Sequence, residues 1–166
     1  MAHIHKEFLI DNAPERVWEA LRDVGAVHRR LVPGFVTDTR METDTRTVTF
    51  ANGVVVHELI VDIDDAARRV AYAVIGGSMT PKHHHASMQV LAAGEGRSRF
   101  VWTIDVAPDE LAGPIDAMAE QGAHVMQETL KHHPGPHGPV DTSPQAAPPA
   151  SRGPARASGP VGQQHR

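Results

Sequence analysis

Three features of this sequence could do chemistry inside a protein: a carboxylate in a β-branched run, a lone tyrosine and a histidine triplet. Glu58 lies within the run Val54–Ile63. If buried there, it would have a raised pKa and could act as a general base or bind a ligand hydroxyl. On a solvent-facing strand it would do neither. Val55, Leu59, Val61 and Ile63 form the more apolar set and lie on the face opposite Glu58. That pattern fits a polar-lined inner face, and it fits the inverted assignment equally. Tyr72 is the single tyrosine. Its hydroxyl could donate to a ligand carbonyl, or it is a core tyrosine with its OH at the rim. In His83-His84-His85, strand alternation puts the outer two on one face and His84 on the other, so the three cannot converge on one ion. A metal site would need ligands from other strands, such as His57, and no spacing forces one. His84 could serve in proton transfer if it lines a cavity, or be a polar residue at a pocket mouth. Cysteine is absent, which excludes disulfides and thiolate chemistry. There is no Gly-rich phosphate loop, Gly-x-Ser-x-Gly elbow or His-Glu-x-x-His. We therefore expect no cofactor and no metal.

The elements that must position these residues follow from periodicity. His3 to Ile10 alternates, with Ile4, Phe8 and Ile10 on one face, and reads as a strand. Asn12-Ala13-Pro14-Glu15 predicts a helix start, with Asn12 as cap, Pro14 in the first turn and Glu15 as capping-box partner. Val17, Trp18 and Leu21 supply its apolar stripe, and a second short helix over Ala26 to Leu31 stops at Pro33-Gly34. Strands are predicted over Phe35–Met41, Arg46–Phe50, Val54–Ile63, Arg69–Ile75, His83–Ala92 and Arg99–Val106. Asn52-Gly53 is a two-residue hairpin turn signal with positive φ at both positions, and Gly76-Gly77 is expected to break the chain. Trp102 lines the interior or packs outside according to a one-residue slip.

A closing helix is predicted from Leu111, Ile115, Met118, Gly122, Val125, Met126 and Thr129, spaced by threes and fours. It begins near Gly113 with Pro114 in its first turn, or a turn precedes it. The expected fold class is α+β. A curved antiparallel sheet of about seven strands curls around the long C-terminal helix, with two short helices after the first strand.

Composition changes after Lys131. Residues 132–166 hold 8 of the 13 prolines and no Phe, Trp or Tyr, so we expect domain 1–131 and a disordered tail 132–166. The tail carries a net +2 from Asp141, Arg152, Arg156 and Arg166, which leaves −6 on the domain. An acidic domain without a basic stripe is a poor nucleic-acid binder. No apolar run approaches a membrane span or a signal peptide, so a cytoplasmic protein is expected, as a monomer or homodimer.

Ala13-Pro14-Glu15-Arg16-Val17-Trp18-Glu19-Ala20-Leu21 after a first strand resembles the opening of the START-like/Bet v 1-like (SRPBCC) superfamily. Within it, the sequence is most similar to bacterial polyketide cyclase/dehydrase-like proteins, over about Ile4 to Leu130. Glu58 to Asp65, Arg68-Arg69 and Ile75-Gly76-Gly77 are similar to the same stretch of the plant abscisic acid receptors. Their Ser-Gly-Leu-Pro gate is replaced by the shorter Phe50-Ala51-Asn52-Gly53, and their His-Arg-Leu latch falls on Met79-Thr80-Pro81. The resemblance thus implies a shared cavity and not a hormone-gated switch.

It also implies a ligand held between the concave sheet and the closing helix, with Glu58, Tyr72 and His84 on cavity positions. Met88, Met118 and Met126 fall on the predicted inner surfaces, as adaptable pocket walls or as plain core. Gly122 would make room for a ligand or for close helix–sheet contact, at a cost of roughly 1 kcal/mol against Ala. Three functions remain open. One is a binder of a small hydrophobic molecule such as a polyketide, lipid or aromatic metabolite. The second is a cyclase/aromatase in which Glu58 or His84 moves protons during aldol closure and dehydration. The third is an interaction protein with a vestigial cavity.

Overall fold

The computed structural model describes residues 1–131; the expected tail lies outside the described residues. The chain runs β1 (Ala2–Ile10), α1 (Pro14–Arg22), α2 (Val27–Arg30), β2 (Val36–Glu42), β3 (Thr45–Phe50), β4 (Val55–Asp64), β5 (Arg69–Gly77), β6 (His83–Ala92) and β7 (Ser98–Ala107). A short 3₁₀ turn, Asp109–Leu111, then leads into α3 (Ala112–Leu130). The seven strands form one antiparallel sheet in the order β1-β7-β6-β5-β4-β3-β2. Its inner face buries Val70, Met88, Val90, Phe100, Ile104 and Val106 beneath α3. This is the α+β helix-grip architecture.

Several local expectations change. Asn12 does not cap α1; the N-cap is Ala13, with no side-chain cap bond. Instead Asn12 joins three elements. Its Oδ1 accepts from the Ala13 N–H at 2.8 Å, and its Nδ2 donates to the Leu130 carbonyl at 3.0 Å. Its own carbonyl accepts from the Ser98 hydroxyl at 2.7 Å. The last turn of a helix has carbonyls with no partner inside the helix, and Asn12 satisfies one of them. Glu15 is likewise no capping partner, since its carboxylate accepts from Arg68 at 3.1 Å.

The Asn52-Gly53 turn has positive φ at Gly53 alone. Asn52 Oδ1 accepts from the Val54 N–H at 3.0 Å, and Phe50 N–H donates to the Val54 carbonyl at 2.8 Å. The loop is therefore Ala51–Gly53, three residues closed by glycine. The chain does not break at Gly76-Gly77 either, because β5 continues through both. Gly77 has φ +105°, and a Cβ there would sit 2.3 Å from the Val55 carbonyl oxygen, so only glycine lets β4 and β5 approach this closely.

The 3₁₀ turn precedes α3, so Pro114 falls in its first turn, where a missing N–H costs nothing. The buried face of α3 is Ile115, Ala119, Gly122, Ala123, Met126 and Leu130. Thr129, expected on that face, is half-buried, while the small Ala119 and Ala123 take central places. A count of large apolar residues overlooks alanines, yet they bring a helix closest to a sheet. Lys6, inward on edge strand β1, anchors the same helix by ion pairs to Asp116 at 2.9 Å and Glu120 at 2.8 Å.

Replacing Asn12 with Ala leaves the Leu130 carbonyl and Ala13 N–H without this partner. We expect a loss of about 1–3 kcal/mol in urea unfolding with an unchanged m-value. A loss under about 0.5 kcal/mol would remove Asn12 as the clasp.

Candidate functional site

The inner face of the sheet is largely apolar, but it carries a buried charged pair on β3 and β4. There Arg46 of β3 and Glu58 of β4 are direct cross-strand partners. Arg46 Nε donates to Glu58 Oε1 at 2.7 Å, with the side chains only 7% and 11% exposed. Arg46 Nη1 also donates to the Val24 carbonyl at 3.1 Å, and its guanidinium lies 5.2 Å from the Tyr72 ring centroid. Tyr72 accepts a hydrogen bond from Trp102 Nε1 at 3.0 Å. Burial, and secondly the charge of Glu58, push the Tyr72 hydroxyl well above the ordinary phenol range, so it stays protonated. Side chains from four strands, β3, β4, β5 and β7, thus make one connected polar cluster inside an apolar shell.

Glu58 faces inward, with Val56 on the same side, while Val61 and Ile63 point to solvent at 49% and 38% exposure. This is plain alternation along β4, although its register with β5 shifts between His57 and Glu58 and between Ile60 and Asp62. The more apolar set of β4 is therefore the outer one. Trp102 also faces inward. Its ring packs on Gly122, where an added Cβ would stand 3.3 Å from Cζ3 and 3.5 Å from the Phe35 ring. The glycine thus sits in close contact with the sheet and also borders the inner cavity.

A cavity of about 60 Å³ remains above this cluster, lined in part by Glu58, Tyr72 and Trp102. Met88, Met118, Gly122 and Met126 are also in its walls, and so is Arg46. The hollow implied by the resemblance is thus small, and Trp102, Met88, Met118 and Met126 are among its walls. The larger space is a groove of about 500 Å³ at the mouth. It lies between the Ala51–Val54 turn, Ser78-Met79 and the first half of α3. Phe35, Phe50 and Met118 border both spaces, with the two rings edge-to-face at 5.5 Å.

His84 lies apart from both spaces. The β5–β6 ladder ends at Tyr72–Ala86, and beyond it the Val74 N–H donates to His84 Nδ1 at 3.0 Å. The imidazole thus replaces a missing strand–strand bond. Burial, then the nearby His85 and His83, lower its pKa to about 4, so the ring is neutral at pH 7. His83 is exposed and His85 half-buried, as alternation requires. His57 is on the outer face, bonded to the Thr47 hydroxyl at 3.0 Å. Among the described residues no three His, Asp or Glu side chains are placed to hold a metal ion.

Arg46, Phe35, Phe50 and Met79 are the site residues that sequence reasoning overlooked. Arg46 shares a strand face with Val48 and Phe50, which marked it as inward. A two-residue turn at Asn52-Gly53 would have set Arg46 opposite Leu59; the three-residue loop sets it opposite Glu58.

The family model described as "Polyketide cyclase / dehydrase and lipid transport" matches residues 1–132, and the chain belongs to that family. No curated protein sequence matches it. Among solved structures it is similar to the protein XoxI from Bacillus cereus, with TM-score 0.72 and 18% identity over 80% of this chain and 100% of that one. The di-domain ARO/CYC BexL from the BE-7585A biosynthetic pathway gives TM-score 0.67 and 11% identity over 78% of this chain and 46% of that one. Norcoclaurine synthase from Thalictrum flavum gives 0.60 and 18% over 79% and 87%. At these identities the likeness is one of fold.

The depressed His84 pKa makes a signed prediction. The unfolded imidazole titrates near 6.5 and the folded one near 4. Between those values the unfolded chain binds more protons, so stability falls as pH drops from 6.5 towards 4. His84→Gln keeps an acceptor and cannot titrate, so its melting temperature should fall less over this window than that of the parent. Parallel curves would refute a buried neutral His84.

Proposed function

We propose that this member of the polyketide cyclase/dehydrase and lipid transport family binds a small hydrophobic molecule, such as a polyketide, lipid or aromatic metabolite. The apolar body would lie in the groove at the mouth, and one end would reach past Phe35, Phe50 and Met118 to the Arg46–Glu58–Tyr72 cluster. The observation that carries this reading is the adjacency of the two spaces. An open apolar groove of about 500 Å³ shares three wall residues, Phe35, Phe50 and Met118, with a small cavity lined in part by polar groups. Binding sites of this kind are mostly apolar, with few polar groups to fix orientation. Methionine and the edge-to-face phenylalanines can shift to admit a guest.

Binding is favoured over the cyclase reading by the state of the proposed proton carriers. Glu58 is already held by Arg46 at 2.7 Å, and the Nδ1 of His84 is already engaged by the Val74 amide. A general base must reach the proton that it removes, and His84 lines neither space. The reading places the protein in the cytoplasm, as a monomer or homodimer with no nucleic-acid partner. No helix of the described residues is long and apolar enough to cross a membrane.

Ala117 is exposed and lines the groove, so Ala117→Trp should fill it without touching the core. We expect at least about tenfold weaker binding of a fluorescent apolar probe, with stability changed by under about 0.5 kcal/mol. Native mass spectrometry should show a co-purifying molecule on the parent and less of it on the variant. Unchanged probe affinity would remove the groove as the binding site.

A further inference from the structure

Resting on the binding reading above, we propose that the ligand presents an uncharged hydroxyl, phenol or carbonyl group to the inner cavity, and that a carboxylate or ammonium at that end is excluded. Charge is the first reason. Apart from Arg46, Glu58 and Tyr72, neither lining holds an ionisable side chain. Arg46 and Glu58 neutralise each other at 2.7 Å, and Tyr72 is a neutral phenol. A charged head would enter a shell with net charge zero. It would lose its water and find no counter-ion unless it broke the pair, which leaves a different charge unmatched.

Unused hydrogen-bonding capacity is the second reason. Arg46 spends Nε on Glu58 and one Nη1 proton on Val24. Among the described residues its Nη2 has no partner, and neither does Glu58 Oε2. The Tyr72 oxygen accepts from Trp102, and its own proton is uncommitted. The cluster therefore offers donors from Arg46 and Tyr72 beside an acceptor on Glu58. A hydroxyl or phenol uses both kinds, and a carbonyl uses the donors. A carboxylate would meet Glu58 as a like charge, and an ammonium would meet Arg46 so.

Size is the third reason. About 60 Å³ holds a few waters or one small polar group, so the bulk of the ligand stays in the groove and only its head enters. The selected class is thus an apolar, ring- or chain-like body with a single neutral polar tip.

Three probes with one ring system decide the matter: naphthalene, 2-naphthol and 2-naphthoate, measured by equilibrium dialysis at pH 7 with the full chain. We expect 2-naphthol to bind about fivefold or more tighter than naphthalene, the worth of one net hydrogen bond. It should exceed 2-naphthoate by at least about tenfold. Glu58→Gln removes the compensating charge, so 2-naphthoate should gain at least about tenfold relative to 2-naphthol. If that variant does not fold, the double variant Arg46→Met/Glu58→Leu replaces the pair with apolar groups. There the advantage of 2-naphthol over naphthalene should fall to about half or less of its value in the parent, the Tyr72 hydroxyl alone remaining. Naphthoate binding the parent chain as tightly as naphthol would overturn the proposal. Three equal affinities would overturn it while leaving the binding reading intact. If none of the probes bound, the binding reading would fail, and this one with it.

Discussion

The buried ion pair between Arg46 and Glu58 is the constraint around which the rest of the interior is arranged. A charge taken out of water must be matched nearby, and the match must be geometrically good to offset desolvation. Here it comes from adjacent strands in direct register, so the β3–β4 hairpin must fold with its three-residue loop. A slip of one residue would turn Glu58 to the outside and leave Arg46 alone. The loop glycine and Asn52 are therefore not decoration. They hold two charges face to face.

Around the pair, the packing leaves little space. Trp102 reaches across to Gly122, Tyr72 receives its N–H, and Met88, Met118 and Met126 line what remains. Buried ion pairs are weak sources of stability, since a well-packed apolar replacement is often as stable or more so. The pair here keeps hydrogen-bonding capacity facing a cavity, beside an apolar groove. Those features suit recognition better than they suit support. Stability has other sources: the apolar inner face of the sheet, the Asn12 clasp on the last turn of α3, and the Lys6 ion pairs on its first half.

Much of this architecture was legible in the sequence, because strand alternation and helical spacing are strong signals where one face is buried. The strand series, the two short helices and the closing helix follow from them. What alternation could not give was the face of Glu58. In β4 the more apolar alternating set, which includes Val61 and Ile63, lies outside, so hydrophobicity alone points to the wrong face. Arg46 was missed because its meaning depends on a partner twelve residues on, and the loop length that sets this pairing differs by one from the usual Asn-Gly turn. The small size of the hollow was likewise hidden. Composition names Trp102 and Gly122 but not that one fills the space the other vacates. His84 is a candidate proton carrier through the cavity position that the resemblance implies, and its hydrogen bond across the gap between β5 and β6 becomes visible only where the ladder ends.

The claim that the pair exists for a guest rather than for the fold is open to a direct thermodynamic measurement. Urea unfolding would compare the parent with Arg46→Met, Glu58→Leu and the double variant. Each single change strands a buried charge and should cost roughly 3–5 kcal/mol, while the double change should come within about 1 kcal/mol of the parent or exceed it. A double variant as unstable as either single one would mean that the pair holds the structure together, and that recognition is not the reason for its presence.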